Sequence, residues 1–236
     1  FRSMPPFPED RFVDAVEKVV RANAAWVPPF GSGATLYIRP LMVATGDVIG
    51  VKPADEYQFR ILVTPVGAYY KGGVKPVKVQ VSQYDRAAPH GTGNIKAGLN
   101  YAMSLYPSVE AHAAGYADNM FLDPETRTYV EESGGANFLF VDKDGNLVVP
   151  QSATDSILPS ITRRSLVDVA ESYLGMKVIQ RQVRFDEIDQ FVECGMCGTA
   201  AVISPVGEVD AADKQVVYGM DHVGPVMQRL RETLTG

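Results

Sequence analysis

One lysine set among small residues, Gly91-Thr92-Gly93-Asn94-Ile95-Lys96-Ala97-Gly98-Leu99-Asn100-Tyr101-Ala102, follows the strand-like alternation Val77-Lys78-Val79-Gln80-Val81 and leads into a helical stripe. Glycines tolerate tight turns and let a backbone or a planar ligand come close, so the stretch reads as strand, glycine loop, helix. From these residues the lysine has two readings. It is a solvated side chain on a flexible turn, or it is an amine that holds a cofactor aldehyde as a Schiff base. The second role needs a neutral amine, and so desolvation or a nearby cation. Two phosphate-loop readings fail on spacing. No Gly-Lys-Ser/Thr follows Gly91 where a P-loop needs it, and Gly91-x-Gly93 puts Lys96 at the third glycine of a dinucleotide fingerprint.

Chain length sets the frame for that loop. At 236 residues and 46% hydrophobic content the chain can bury a real core, as one large domain or two small ones. Its apolar runs are short and interrupted, so neither a membrane span nor a signal peptide is expected. A net charge of −6 with no basic block argues against a nucleic-acid surface and for a small-molecule site. Two cysteines fit a reducing, cytoplasmic setting. Cys194-x-x-Cys197 lacks the second pair a zinc site needs, and His90, His112 and His222 are far apart, so no metal is expected. The pair leads into a strand rather than a helix, unlike a catalytic dithiol, and is read as packed thiols.

In chain order, Glu9-Asp10 precedes Phe12, Val13, Val16, Val19 and Val20 at helical spacing, a helix of about four turns that Pro28-Pro29 ends. Leu36 to Val43 and Tyr57 to Thr64 read as strands, the second apolar enough to suggest burial on both faces. Gly67 to Pro76 reads as a linker. After the lysine loop, Leu99, Ala102, Met103, Tyr106, Val109 and Ala113 form a helical stripe that Pro107 is expected to kink or split. Strands are expected at 120–122, 129–132, 138–141 and 147–149, with Lys143-Asp144-Gly145-Asn146 as a hairpin turn. A helix over 162–174, a strand over 178–183, a short helix over 185–190, a strand over 200–203 and a helix over 223–234 complete the chain.

The block Gly93-Asn94-Ile95-Lys96-Ala97-Gly98-Leu99-Asn100-Tyr101 resembles the lysine motif of the branched-chain amino-acid aminotransferases, fold-type IV enzymes that use pyridoxal phosphate (PLP). Four further blocks match in the family's order: Leu36-Tyr37-Ile38-Arg39-Pro40, Pro65-Val66-Gly67-Ala68-Tyr69, Glu132-Ser133-Gly134-Gly135-Ala136-Asn137 and Cys194 to Ala201. The resemblance runs from about residue 4 to the end. It implies a mixed α/β (α+β) fold in which residues 1–70 are part of a small α/β domain, 71–76 a linker, and 77–236 a large domain of mixed, barrel-like sheet with helices. The implied reaction is transamination of leucine, isoleucine or valine with 2-oxoglutarate. Tyr37-x-Arg39-Pro40 and Gly67-Ala68-Tyr69 favour this group over a D-amino-acid aminotransferase or an aminodeoxychorismate lyase. A catalytically silent binding module is the alternative from another class.

By the same resemblance Lys96 holds PLP and then serves as general base, and Tyr101 meets the cofactor's phenolic oxygen. Glu131 and Glu132 both qualify as partner of the pyridine nitrogen. Strand alternation points them opposite ways, and Glu132 stands five residues before Asn137, as the family's glutamate precedes its asparagine. Ile161 and Thr162, in the turn Ile157 to Arg163, and Thr199 would bind the phosphate, the first two at a helix start. Tyr37, Arg39, Thr199 and Ala200 would orient the amino or 2-oxo acid. Ile49-Gly50-Val51 matches a loop that covers the partner's site in a homodimer. Mammalian members have a regulatory cysteine pair just after the matching Gly-Thr-Ala, where this chain has Ala201 and Ser204. Family members also begin with a longer segment that supplies a phosphate-binding arginine. Without it, PLP affinity is expected to fall by about one to two powers of ten.

Overall fold

Acidic residues at a helix start favour its positive end, and Glu9 and Asp10 occupy the first turn of α1 (Glu9–Ala22). The computed structural model describes residues 4–67 and 74–236, in two compact units, residues 1–71 and 72–236. The helix stops at Asn23, whose side chain donates to the Val19 carbonyl at 2.8 Å, well before the prolines expected to end it. Strands β1 (Thr35–Thr45) and β2 (Glu56–Val66) pair antiparallel along their whole length, and α1 packs on β2. Phe59 anchors that packing, with ring centroids 3.9 Å from Phe7 and 5.6 Å from Phe12. Burial of β2 on both faces is not what forms. Tyr57, Phe59, Ile61 and Val63 are half-buried while Gln58, Arg60, Leu62 and Thr64 are exposed, because α1 covers only one face of a two-stranded ribbon. Of the expected linker 71–76, residues 71–73 lie outside the described residues, as do Ala68 and Tyr69.

The second unit opens with β3 (Val77–Val81), then α2 (Gly98–Ala113), β4 (Asp118–Met120), β5 (Tyr129–Val130), β6 (Asn137–Val141) and β7 (Leu147–Pro150). Next come α3 (Ile161–Asp168), continued by a π turn at Val169–Tyr173, β8 (Val178–Arg181) and β9 (Val183–Arg184). A 3-10 turn at Phe185–Gln190, β10 (Glu193–Gly198), β11 (Val202–Asp210), β12 (Gln215–Val217) and α4 (Pro225–Thr235) follow. Seven strands lie in the order β4-β3-β11-β10-β6-β7-β8, with β12 on β11, and the pairings are both parallel and antiparallel. The chain beyond β4 bonds to the segment at β5, through Phe121 and Leu122 to Val130, Glu131 and Glu132. β5 in turn pairs with β9, which runs on from β8. This ribbon links the two edges of the strip, which gives the sheet its barrel-like character.

Alternation along β6 sorts the core into two clusters. Phe138 and Phe140 face a cluster with Met120, Val130, Phe191 and Met196, while Leu139 and Val141 face Leu166, Ile203, Met227 and Leu230 under α3 and α4. α2 is not split at Pro107, one of the two outcomes expected for it. It runs unbroken through Pro107, and its buried positions are Asn100, Ser104, Pro107 and Ala111, whereas Leu99, Met103, Tyr106 and Val109 are exposed. Small side chains let the helix approach β4 closely, and that packing holds the turn that lacks the proline N–H.

Cys194 and Cys197 lie inside β10 rather than ahead of a strand, and they face opposite core clusters. Both are free and buried. Burial pushes the Cys197 thiol up to about 12 and the Cys194 thiol up as well, so neither supplies a thiolate at neutral pH. A chromogenic thiol reagent is expected to react with neither cysteine in the native protein and with both in denaturant. Rapid native labelling would show that β10 opens.

Candidate active site

Three loops meet at one end of the second unit, and each is built around a polar side chain. The lysine loop is held by Asn100, buried in the first turn of α2. Its amide donates to the carbonyls of Thr92 (2.7 Å) and Ile95 (2.8 Å) and its oxygen accepts from Thr92 Oγ1 (2.7 Å). All three contacts use groups of the loop itself, so Asn100 is a staple that sets where Lys96 emerges. Gly93 settles against the next segment so tightly that a Cβ there would stand 2.0 Å from the Ser156 carbonyl oxygen. Only glycine fits.

The second loop carries Glu131 and Glu132, both buried. The expected alternation holds: Glu131 turns to the hydroxyls of Ser152 (3.0 Å) and Ser156, and Glu132 turns into a cavity. Glu132 accepts from the Leu158 N–H (2.8 Å) and from Asn137 Nδ2 (3.2 Å), and pairs with the buried guanidinium of Arg86 at 2.6 Å. Burial raises the Glu132 carboxyl to about 7, opposed first by Arg86 and then by the Leu158 N–H. Glu131 is raised too, by burial, against the bonds from Ser156 and Ser152. Two acids read from sequence as competing candidates thus have separate surroundings.

The third group of segments brings the helix start and the β10 end. Ser160 caps α3 by accepting from the Arg163 N–H at 3.3 Å. Ile161 and Thr162 open the helix beside it, where N–H groups lack intrahelical partners, but their side chains do not line the cavity and Ile161 is 67% exposed. Gly198 and Thr199 do line it, and Ala200 follows in the turn between β10 and β11. Arg231 of α4 donates to the Ala201 carbonyl, and Val202 closes the turn at φ 62°, a strained value for a β-branched residue.

The resulting cavity, about 460 Å³ with its open mouth, is lined by Lys96, Tyr101, Glu132, Asn137, Ser160 and Thr199 among others. At the mouth Lys96 Nζ donates to Tyr101 Oη at 2.8 Å, and the lysine is exposed rather than desolvated as expected. A larger cavity of about 600 Å³ next to Glu193 and Tyr218 offers no comparable set. There Glu193 already accepts from the Val226 and Met227 N–H groups and the Tyr218 hydroxyl donates to the Ile188 carbonyl. Tyr37 and Arg39 belong to the first unit, on β1, where Arg39 donates to Tyr37 Oη at 2.7 Å. Ile49 and Val51 are fully exposed on the loop between β1 and β2.

This donor set suits one group in particular. A pyridine ring with an aldehyde, a phenolic oxygen and a phosphate needs an amine, a phenol, a buried carboxylate and an N–H-rich turn at separate points of one pocket. Lys96, Tyr101, Glu132 and the segments at Ser160 and Thr199 supply these. Arg86 and Asn100 escape a reading of the sequence, since nothing in Asp85-Arg86-Ala87 marks a buried cation and Asn100 stands out only as part of the lysine block. Gly93→Ala is expected to cost about 3 kcal/mol or more, at or above the top of the overpacking range, because backbone rather than a side chain must move. Chemical denaturation measures it, and a cost under about 1 kcal/mol would contradict the packing described.

The profile of the family described as "Amino-transferase class IV" matches residues 1–209. The branched-chain-amino-acid aminotransferase of Haemophilus influenzae is 49% identical over 239 residues, covering 99% of this chain and 69% of that protein. For the Helicobacter pylori enzyme of the same name the figures are 43% over 233 residues, 98% and 67%. The crystal structure of the branched-chain amino acid aminotransferase from Thermobaculum terrenum in its PLP form superposes with a TM-score of 0.76 at 30% identity. The match covers 97% of this chain and 70% of that one.

Proposed function

Because the chain belongs to the class IV aminotransferase family, we propose that it transfers the amino group of leucine, isoleucine or valine to 2-oxoglutarate with PLP bound in the Lys96 cavity. The observation that carries this reading is the Lys96–Tyr101 contact of 2.8 Å at the mouth of a pocket that also contains the buried Glu132. In this reading residues 77–236 form the cofactor-binding domain and 1–70 part of a smaller one.

When bound, PLP supplies an electron sink for the pair left at the substrate's α-carbon as its proton departs. The protein's own groups do the rest. Lys96 would hold the cofactor by its aldehyde carbon, and its amine, once freed by substrate, would act as the base that takes the α-proton and delivers it across the intervening nitrogen to that former aldehyde carbon. Tyr101 donates its hydrogen bond to the phenolic oxygen and keeps the ring from swinging. Glu132, paired with Arg86, presents a carboxylate to the pyridine nitrogen and favours its protonated form. The opening N–H groups of α3 and the Gly198-Thr199 turn receive the phosphate. The Thr199-Ala200 turn orients the substrate, and Tyr37 and Arg39, bonded to each other on β1, are proposed as further substrate-recognising residues carried by the first unit.

Lys96→Ala is expected to lower turnover of leucine with 2-oxoglutarate by at least about a thousandfold, since base and anchor are lost together. Partial recovery with added methylamine would reinforce the assignment; a Lys96→Ala protein within tenfold of the parent would refute it.

A homodimer is part of the same proposal. Ile49 and Val51 expose their entire side chains on the first unit, and α2 of the second exposes Leu99, Met103, Tyr106 and Val109, apolar surface from which a monomer gains nothing. Light scattering on the active protein is expected to give twice the chain mass. An active monomer at assay concentration would count against it.

A further inference from the structure

Arg86 is buried with 7% exposure, yet no step above uses more than its charge. Its Nη2 reaches three acceptors from three segments: Glu132 Oε1 at 2.6 Å, the Gly93 carbonyl at 3.1 Å and the Ser156 carbonyl. Its Nε has no hydrogen-bond partner among the described residues. We propose that Arg86 is a positioning residue of the cofactor pocket, holding Glu132 as an oriented carboxylate while tying the Lys96 loop to the segment that leads into α3. The proposal rests on the reading of Glu132 as partner of the pyridine nitrogen.

The geometry carries it. A buried carboxylate stays charged only if a cation and hydrogen-bond donors surround it. Arg86 is the charged group in contact with Glu132 among the described residues. The other titratable groups near Glu132 are Glu131 beside it in sequence, Arg163 on α3, Cys197 on β10, and Lys96 and Tyr101 across the cavity. Glu131 opposes the charge and Arg163 supports it. Gly93 lies directly against Ser156, so the two carbonyls that Arg86 binds come from backbones already in contact. One side chain thereby sets the Lys96 loop and Glu132 in a common frame.

The test uses carboxyl-labelled glutamate in the cofactor-free protein, with the Glu132 resonance identified by its loss in Glu132→Gln. An adjacent cation favours the charged form, so Arg86→Gln is expected to raise the Glu132 midpoint by about one pH unit or more. Arg86→Lys keeps the charge and is expected to leave it within about half a unit. In parallel, the PLP dissociation constant at pH 7.5 is expected to rise about tenfold in Arg86→Gln, to recover in Arg86→Lys, and to rise clearly less than tenfold when Arg86→Gln is added to Glu132→Gln. An unmoved midpoint in Arg86→Gln would overturn the proposal, and so would equal losses of affinity in both Arg86 variants or additive losses in the double variant. If Arg86→Gln does not fold, the parent decides: a Glu132 midpoint near about 9, as for a buried carboxyl without a partner, would also overturn it. If PLP binds none of these proteins, the functional reading fails, and the carboxyl titration still judges Arg86.

Discussion

A carboxylate in a protein interior loses its hydration and must regain that stabilisation from fixed partners. Around Glu132 the partners come from distant parts of the chain: the Arg86 guanidinium, the Leu158 N–H and the Asn137 amide. The requirement to satisfy one charge therefore holds together the strand-to-loop segment after β3, the hairpin entering β6 and the chain entering α3. Removing one member of such a pair typically costs about 3–5 kcal/mol, because the other charge stays buried. The end of the unit that carries the candidate site is thus coupled to its stability.

The rest of the fold aims side chains at that point. Strand alternation sends Glu131 into a hydroxyl network and Glu132 into the cavity, just as it parts Phe138 and Phe140 from Leu139 and Val141. Loops at one end of the sheet then carry the reactive groups, with Asn100 stapling the lysine loop and Ser160 capping α3. Lys96, which the proposed reaction would require to move, is exposed at the mouth.

Much of this is legible in the chain alone. Alternation marks β3, short apolar runs mark β6 and β7, turn residues mark the hairpin at Gly145, and the lysine block points to residues that line the cavity. What misleads is the assumption that apolar means buried. In α2 the apolar stripe is exposed and Asn100, Ser104 and Pro107 face inward, because close packing and loop bonding outweigh side-chain hydrophobicity there. In β2, whose apolar content suggests burial on both faces, only one face is covered. Strand β10 is hard to read since Glu193-Cys194-Gly195 has neither branching nor alternation, and its burial comes from flanking strands on both sides. Arg86 is invisible for a related reason: a charge becomes a core residue only through partners distant in sequence.

The central claim is that these loops make one cofactor pocket in which Lys96 bonds to the aldehyde. Equilibrating the protein with PLP, reducing it with borohydride and mapping the peptides by mass spectrometry tests this directly. The account predicts a single added pyridoxyl phosphate group on Lys96, stoichiometric with protein. A label fixed instead on Lys71 or Lys78, or spread over surface lysines with Lys96 unmodified, would contradict it.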